Sequence, residues 1–334
     1  MNTATPLIEV RQVSRSFPVG RTLLGKPRNT VRALDGIDLE LRRGETLGLV
    51  GESGCGKSTL ARLLVALDQP SSGDVVFEGH CLNRLSRRKL RKERKRIQMI
   101  FQDPLASLNP RMTVRASIAE PLGNFLPQAG VDADDLVDEL ALQVGLSLHH
   151  LDRFPHELSG GQCQRVGIAR AIVSSPDVIV ADEPVSALDV SIQAQILNLL
   201  FDIKDRMGLS MIFVSHDLSV VSHVSDRVAV MYLGRIVEVG PSRELFESPQ
   251  HPYTKMLLEA LPHPRPEART RRPEVKGELP SPLNPPAGCH FRTRCPKAVS
   301  ECASVIPALK QTASIEHSAA CHLVPARLEG SNSD

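Results

Sequence analysis

Residues 51–59 read GESGCGKST and have the residue types and spacing of a phosphate-binding loop. An apolar, β-prone run (46–50) precedes them and helix formers (60–67) follow, so the loop joins a strand to a helix. The three glycines let several backbone N–H groups face one point and, with the helix N-terminus, these form an anion site. Lys57 adds a charge for the β- and γ-phosphates, and Ser58 offers a hydroxyl to Mg²⁺.

Two adjacent acids end an apolar run further along the chain. Residues 178–182 read VIVAD, and Glu183 follows directly. Asp182 suits Mg²⁺ binding, directly or through water. Glu183 lies past the strand end, where it can polarise a water that faces the γ-phosphate. A buried strand alone would not explain two acids together, so the pair predicts a hydrolytic site.

Gln102 and His216 each follow another core-type strand, at residues 97–101 and 210–214. A glutamine in this place can reach a metal ion or an attacking water. A single histidine is usually structural, but His216 leaves a strand expected to run parallel to that of Asp182. Both side chains are therefore predicted at the same phosphate edge.

The run LSGGQ at residues 158–162 predicts the start of a helix that ends near residue 173. Ser159 is a good N-cap, and the glycines after it leave backbone amides bare. The pattern is typical of a second helix N-terminus that receives an anion. A capped helix with a flexible first turn remains the structural alternative.

Phe17 precedes the phosphate-binding loop and is one of few aromatic residues, since the chain has nine Phe, two Tyr and no Trp. It could stack on an adenine ring or pack in the hydrophobic core.

Residues 84–96 carry nine basic residues and one acid, Glu93. Without interleaved aromatics this run indicates a solvated helix face rather than a nucleic-acid patch.

The composition is that of an ordinary globular protein. The 334 residues, enough for two domains, are 41% apolar and 23% charged with a net charge of +2, which gives no strong pull toward nucleic acid or membrane surfaces. The N-terminus lacks a secretory pattern, and no apolar run approaches the ~20 residues that span a bilayer. We expect a cytoplasmic chain whose membrane role comes through partners.

The remaining pattern predicts how these segments are connected. Residues 7–13 and 33–41 alternate as strands, and 19–32 read as a polar loop between them. Residues 112–148 have a helical pattern, broken by Pro121, Pro127 and Gly130, which predicts a helical insertion. Residues 185–189 predict a turn, with Asp189 starting the helix that follows.

Prolines and cysteines mark the C-terminal part. Residues 262–286 hold eight prolines, which predicts a linker or an extended segment. Four cysteines follow with the spacing C-x5-C-x6-C-x18-C, near His290, His317 and His322. Without a C-x2–4-C knuckle they favour a [4Fe–4S] cluster, with Zn²⁺ or unliganded thiols as alternatives. The predicted cluster ligands are Cys289, Cys295, Cys302 and Cys321.

The order of these motifs resembles the ATP-binding cassette ATPases over about residues 7–240. The resemblance implies an α/β fold with a P-loop core sheet, an antiparallel β subdomain and a helical subdomain at about 103–175. It divides the chain into a nucleotide-binding domain at 1–245 and a small Cys-containing C-terminal appendage at 246–334, which includes the proline-rich linker.

The same resemblance implies roles for the motif residues. Glu183 would be the catalytic base, His216 the switch histidine and Gln102 the Q-loop glutamine, which is counted among the catalytic residues as well. Mg²⁺ would be held by Ser58, Gln102 and Asp182. Those implied to contact ATP are Phe17, Gly51, Glu52, Ser53, Gly54, Cys55, Gly56, Lys57, Ser58, Thr59, Gln102, Ser159, Gly160, Gly161, Gln162, Asp182 and Asp189.

A narrower resemblance covers nearly the whole chain. The segments FQDPLASLNPR, HPYTKMLL and GELPSPLNPPAGCHFRTRCP look like the second ATPase of dipeptide and oligopeptide importers within the peptide/nickel group. This implies peptide import, with a related nickel or glutathione importer as the alternative. It also implies a second ATPase subunit in a heterodimer, two membrane permeases, an extracytoplasmic binding protein and a place on the cytoplasmic face of the inner membrane.

Physically, one nucleotide half-site is too open to hold the γ-phosphate strongly, so we expect the LSGGQ helix of a second cassette to complete it. A nucleic-acid mechanoenzyme is the first alternative, but about 100 residues without a heptad pattern separate Lys57 from Ser159. A non-catalytic regulatory cassette is the second. Intact Glu183, His216 and LSGGQ argue against it.

Overall fold

A computed structural model of the chain describes residues 5–21, 27–125, 133–260 and 280–325. The strands are β1 (Ile8–Arg21), β2 (Pro27–Leu41), β3 (Thr46–Val50), β4 (Ser72–Phe77), β5 (His80–Cys81), β6 (Ile97–Ile100), β7 (Val178–Asp182), β8 (Ser210–Val214), β9 (Arg227–Tyr232), β10 (Arg235–Pro241), β11 (Lys310–Gln311) and β12 (Ser318–Ala319). The α-helices are α1 (Lys57–Leu64), α2 (Arg87–Arg96), α3 (Val114–Phe125), α4 (Ala133–Gln143), α5 (Gly160–Ile172), α6 (Val190–Met207), α7 (Leu218–Val224), α8 (Ser242–Glu247) and α9 (Pro252–Glu259). Short 3-10 helices cover Leu82–Arg84, Leu148–His150, Pro155–Glu157 and Ser300–Ala303.

The larger sheet carries the predicted chemistry. Its strand order is β11-β12-β10-β9-β3-β8-β7-β6, and β9, β3, β8, β7 and β6 run parallel. In a parallel sheet the carboxyl ends of neighbouring strands open onto one edge, where ligands bind. The segments that follow β3, β6, β7 and β8 therefore lie side by side.

Strand β7 explains why these strands are apolar throughout. All five of its residues are buried, with Ile179 and Ala181 in one hydrophobic core and Val178 and Val180 in the other. Successive side chains of a strand point to opposite faces, so a strand covered on both sides needs apolar residues at every position. Polar side chains begin only at the strand end, at Asp182.

The smaller, antiparallel sheet has the order β2-β1-β4-β5. The predicted polar loop at residues 19–32 is wrong in part, because β1 and β2 stay paired as far as Val19↔Asn29 and Arg21↔Pro27. Ladder hydrogen bonds are made by the backbone, so the strands continue where the alternation of apolar side chains has ended. Residues 22–26 lie outside the described ranges.

The predicted helical insertion contains α3 and α4, which pack with α5. Pro121 lies inside α3 and does not end the helix as the sequence pattern indicates. It is buried on the same face as Val114 and Ile118, and this burial offsets the missing backbone hydrogen bond. Pro127 and Gly130 lie outside the described residues. The sheet, the antiparallel subdomain and the helical layer together confirm the predicted α/β fold.

The C-terminal tail is joined to the larger sheet. Strand β12 pairs antiparallel with β10 through Glu238↔Ala319 and Val239↔Ser318, and β11 adds to its far side. The tail was expected as an appendage, but at this point it extends the sheet of the cassette. Most of the proline-rich stretch, through residue 279, lies outside the described residues. No helix in the described ranges combines the length and apolarity needed to cross a bilayer.

Candidate functional site

The phosphate loop wraps around its own lysine. Lys57 is 5% exposed, and its Nζ donates hydrogen bonds to the carbonyl oxygens of Gly51 (2.8 Å) and Glu52 (3.2 Å). Gly56 has a φ of 111°, and a Cβ there would lie 2.4 Å from the carbonyl oxygen of Ala33. Only glycine fits this backbone and this close approach. The loop is therefore preshaped around the ammonium group.

Ser58 and Asp182 supply oxygen ligands beside the loop. The Ser58 hydroxyl donates a hydrogen bond to Oδ1 of Asp182 at 3.2 Å. Burial raises the pKa of Asp182, and the charge of Glu183 raises it further against the effect of the Ser58 hydrogen bond. A cation bound here would favour the carboxylate form again. A hydroxyl and a carboxylate are oxygen ligands of the kind that Mg²⁺ prefers, so these two side chains would fit that ion.

Glu183 is held at the centre of the site. Its φ of 45° is rare for a residue other than glycine, and its N–H donates to the carbonyl oxygen of Val214 at 3.0 Å. Oε2 accepts a hydrogen bond from Nε2 of Gln102 at 3.0 Å and lies 3.2 Å from Nδ1 of His216. Oε1 lies 4.0 Å from Nζ of Lys57. Strained backbone of this kind clusters at functional sites.

A cavity of about 230 Å³ opens in front of these groups. The phosphate loop forms one part of the cavity wall. Gln102 and Glu183, which follow the core strands, form another part. Asp182 and His216 do not line the cavity themselves. Asp182 contacts the lining residue Ser58, and His216 contacts the lining residue Glu183. The lining residues are Val31, Arg32, Ala33, Ser53, Gly54, Gly56, Lys57, Ser58, Thr59, Gln102, Glu183, Leu233, Gly234 and Pro282.

The LSGGQ run at residues 158–162, called the signature segment from here on, lies elsewhere on the surface. The Ser159 hydroxyl accepts a hydrogen bond from the N–H of Gln162 at 3.3 Å, and the Gln162 side chain accepts one from the N–H of Ser159 at 2.9 Å. This capping box starts α5. Ser159, Gly160 and Asp189 are exposed, and neither Ser159–Gln162 nor Asp189 lines the cavity. One chain therefore does not bring its own signature to its own phosphate loop.

Phe17 lies on β1, opposite Val31 on β2. The guanidinium carbon of Arg15 lies 4.7 Å from the centre of its ring. Phe17 does not line the phosphate cavity, but its partner Val31 does. The ring is half-buried and lies one strand away from the cavity wall. This position is compatible with an adenine base that extends past the phosphates.

Sequence reasoning missed the C-terminal contacts of the site. The phenolic oxygen of Tyr253 accepts a hydrogen bond from the N–H of Glu52 at 2.9 Å, and Arg294 makes two hydrogen bonds with the carboxylate of Glu52. Pro282 lines the cavity itself. The segments HPYTKMLL and GCHFRTRCP stand out in the sequence, but nothing in their pattern indicates the phosphate loop as their neighbour.

The structure does not support the predicted iron–sulfur cluster or its zinc alternative. Cys289, Cys295, Cys302 and Cys321 are free thiols, and within the described ranges no group of three or more His, Cys, Asp or Glu side chains could hold a metal ion. Burial raises the pKa of Cys289, and the other three thiols add to this effect. No short Cys-x-x-Cys turn in this segment fixes two sulfurs on one ion.

Acid should destabilise the fold through His251. Its ring is 1% exposed and its Nδ1 accepts a hydrogen bond from the N–H of Tyr253, while burial lowers its pKa to about 4. Between about pH 6.5 and about pH 4, His251 is protonated in the unfolded chain but stays neutral in the folded chain. The free energy of unfolding therefore falls as the pH falls through this range. The loss amounts to roughly 3 kcal/mol.

The check is urea unfolding of the wild type and of His251→Asn at about pH 7 and about pH 4. Asparagine keeps a cap for α9 but does not titrate. We expect the wild type to lose more stability than the variant between the two pH values. Equal losses would contradict the assignment to His251.

The edge of the sheet is equipped to cleave a phosphoanhydride bond. The loop amides and Lys57 can bind phosphate oxygens, and Glu183 lies where it can take a proton from a water. The fold and the site thus define a P-loop nucleoside triphosphatase. A comparison with known proteins narrows this class.

Two family models match the chain. The ABC transporter model matches residues 34–186, and the model for the oligopeptide/dipeptide transporter C-terminal region matches 237–302. The oligopeptide transport ATP-binding protein AppF of Bacillus subtilis is 49% identical over 320 residues, which cover 95% of this chain and 97% of AppF. OppF of Salmonella typhimurium is 51% identical over 320 residues, with 94% and 95% covered. The chain belongs to the ATP-binding cassette (ABC) transporter family and is an ATPase.

Solved structures of ATP-binding cassettes have the same fold as the cassette part of this chain. A dimeric post-hydrolysis structure of the ATP-binding cassette MJ0796, bound to ADP and Pi, superposes with a TM-score of 0.63 at 28% identity. It covers 71% of this chain and 99% of MJ0796. The cassette cbiO1 of Clostridium perfringens reaches a TM-score of 0.61 at 30% identity, with 73% and 91% covered.

Proposed function

We propose that the chain hydrolyses ATP to power the import of peptides, in particular oligopeptides, through partner permeases. One observation carries this conclusion. The chain is 49–51% identical in sequence to oligopeptide transport ATP-binding proteins, and the alignments cover 94–95% of the chain. Similarity confined to the cassette would fit any transporter of the family. The matched C-terminal region, residues 237–302, supports the peptide class specifically.

The side chains support a division of roles within the site. Lys57 and the loop amides bind and orient the β- and γ-phosphates. Ser58, Asp182 and Gln102 would hold Mg²⁺, which would neutralise charge at the phosphates. Glu183 accepts the proton of the attacking water through Oε2. Its hydrogen bond from Gln102 and its contact with His216 fix the position of that oxygen.

Phe17 stacks on the adenine base in this proposal, because its cross-strand partner Val31 lines the cavity. The domain division at residues 245 and 246 is part of the proposal as well. The C-terminal unit then contributes Pro282 to the cavity wall of the N-terminal unit.

A second cassette completes the nucleotide site. The exposed signature residues Ser159 and Gly160 lie next to the α6 start, since a Cβ on Gly160 would lie 3.4 Å from Leu188. We propose that a different ATPase subunit presents its signature to this loop and receives this one in return. The solved cassette MJ0796, 28% identical to this chain, is a dimer, which supports the pairing of two cassettes.

The permeases dock in a groove beside the site. A cavity of about 500 Å³ lies between the end of β6 and α3, with Leu67, Met99 and Phe101 on one side and Pro121 and Phe125 on the other. Gln102 follows Phe101 directly, so a permease helix seated here senses the state of the ATP site. The chain is then a peripheral subunit on the cytoplasmic face of the inner membrane, and an extracytoplasmic protein delivers the peptide to the two permeases.

Reconstitution tests this proposal directly. The chain, its partner ATPase and the two permeases are placed in proteoliposomes with the binding protein, and uptake of a labelled oligopeptide is measured with ATP inside or outside. We expect uptake only when ATP is on the side of the ATPase subunits, and none when this chain is left out. Uptake that does not depend on this chain would contradict the proposal.

The same vesicles separate the alternatives. Labelled dipeptide, glutathione and Ni²⁺ compete with the oligopeptide at equal concentration, and we expect the oligopeptide to be preferred. Preference for Ni²⁺ or glutathione would move the chain to a related importer. Tight binding of duplex DNA with a steep salt dependence would instead favour a mechanoenzyme acting on nucleic acid.

A further inference from the structure

Glu52 in the phosphate loop is tied to the C-terminal part of the chain. Its two carboxylate oxygens accept hydrogen bonds from Arg294 at 2.7 and 2.9 Å, and its N–H donates to the phenolic oxygen of Tyr253 at 2.9 Å. Its carbonyl oxygen accepts a hydrogen bond from Nζ of Lys57 at 3.2 Å. One residue thus connects Arg294 and Tyr253 to the lysine that binds phosphate.

Arg294 is built into this position. Its side chain is 5% exposed, and the ion pair with Glu52 raises its pKa. The guanidinium lies 5.9 Å from the ring centre of Tyr232 and 6.0 Å from that of Phe291. A planar guanidinium fixed by two parallel hydrogen bonds and by aromatic faces cannot be replaced by lysine without loss of geometry.

The surrounding rings make the support rigid. The ring centres of Tyr232 and Tyr253 lie 4.6 Å apart, and that of Phe291 lies 5.3 Å from the first and 5.4 Å from the second. All three residues are fully buried. Tyr232 ends β9 of the core sheet, whereas Tyr253 and Phe291 belong to the C-terminal part, so the cluster joins the two.

We propose that Arg294 and Tyr253 are positioning residues for ATP binding. The C-terminal part of the chain holds the Glu52 peptide groups, and through them Lys57, in the form that binds the triphosphate. This inference rests on the nucleotide site of the proposed function. It assigns to the C-terminal part a role in every ATPase cycle, in addition to any contact it makes with transport partners.

The test is a double-mutant cycle on MgATP affinity in the full chain. Arg294→Met and Glu52→Gln should each raise the Kd for MgATP on the order of 10-fold, as for typical coupling between sites. The double variant, which leaves no unpaired buried charge, should be no worse than the worse single variant, because both act through one contact. Arg294→Lys and Tyr253→Phe, which keep charge or ring, should fold and still weaken binding.

Two measurements separate positioning from general stability. Glu316→Gln breaks the exposed ion pair with Arg42, which also joins the tail to the cassette but lies outside the phosphate loop, and should leave the Kd unchanged. Hydrogen exchange at residues 51–56 should be faster in Arg294→Lys than in the wild type or in Glu316→Gln.

The outcomes distinguish this inference from the proposed function. The positioning role would be overturned if folded Arg294→Lys and Tyr253→Phe bound MgATP with the wild-type Kd and showed unchanged hydrogen exchange in the phosphate loop. The proposed function would stand in that case, provided that the wild type hydrolyses ATP. Additive effects in the double-mutant cycle would also overturn it. A wild-type chain that does not bind MgATP at all would overturn both.

Discussion

Glu183→Gln should bind MgATP about as well as the wild type but turn it over about 100-fold to 10,000-fold more slowly, the usual contribution of a general base. The amide keeps the size of the side chain and a hydrogen-bonding oxygen for Gln102, so the cavity keeps its shape. It cannot accept the proton of the attacking water. Phosphate release by the reconstituted complex and the MgATP Kd of the full chain measure the two effects.

Glu247→Gln is the matched control for this variant. Glu247 pairs with Arg243 on the surface, where its side chain is 64% exposed, and it lies outside the cavity lining. It should hydrolyse ATP at the wild-type rate. Phosphate release by Glu183→Gln at the wild-type rate would refute the assignment of the base.

Lys57→Ala should act on binding itself. The variant loses the charged donor that lies among the loop carbonyls and 4.0 Å from Glu183. Charge-assisted hydrogen bonds to phosphate are among the strongest in proteins, so we expect the MgATP Kd to rise on the order of 100-fold. Titration of a fluorescent ATP analogue into the full chain measures this change.

The exposed Lys297 offers the control, since Lys297→Ala removes the same charge from the surface. Its Kd should equal that of the wild type, and thermal melts of both variants show whether the fold is intact. A folded Lys57→Ala variant that keeps wild-type affinity would contradict the role of the phosphate loop.

Much of the hydrolytic edge can be predicted from sequence because each side chain there follows a strand. Runs of apolar residues such as VIVAD identify strands that are buried on both faces, and the first polar residue after each run lies at the carboxyl edge. Parallel pairing then brings Gln102, Asp182 and His216 to the same edge, as the structure describes. The strand-to-helix loop needs glycines, and these are visible in the sequence.

The contacts across the chain could not be predicted in this way. Glu52 is 242 positions from Arg294 and 201 from Tyr253, so periodicity over a local window carries no sign of their contact. The extra length of β1 and β2 depends on backbone pairing, which polar residues do not forbid. The cysteine spacing suggested a metal centre because the sequence gives separations but not directions of the thiols.

The central claim is that two cassettes enclose ATP, each supplying what the other lacks. The most direct measurement is a cryo-EM structure of the reconstituted complex with Glu183→Gln, ATP and Mg²⁺. We predict one nucleotide between Lys57 of this chain and the signature segment of the partner ATPase, and Ser159 of this chain at a second nucleotide held by the partner. Separated cassettes, with ATP bound to Lys57 but Ser159 facing solvent, would contradict the account.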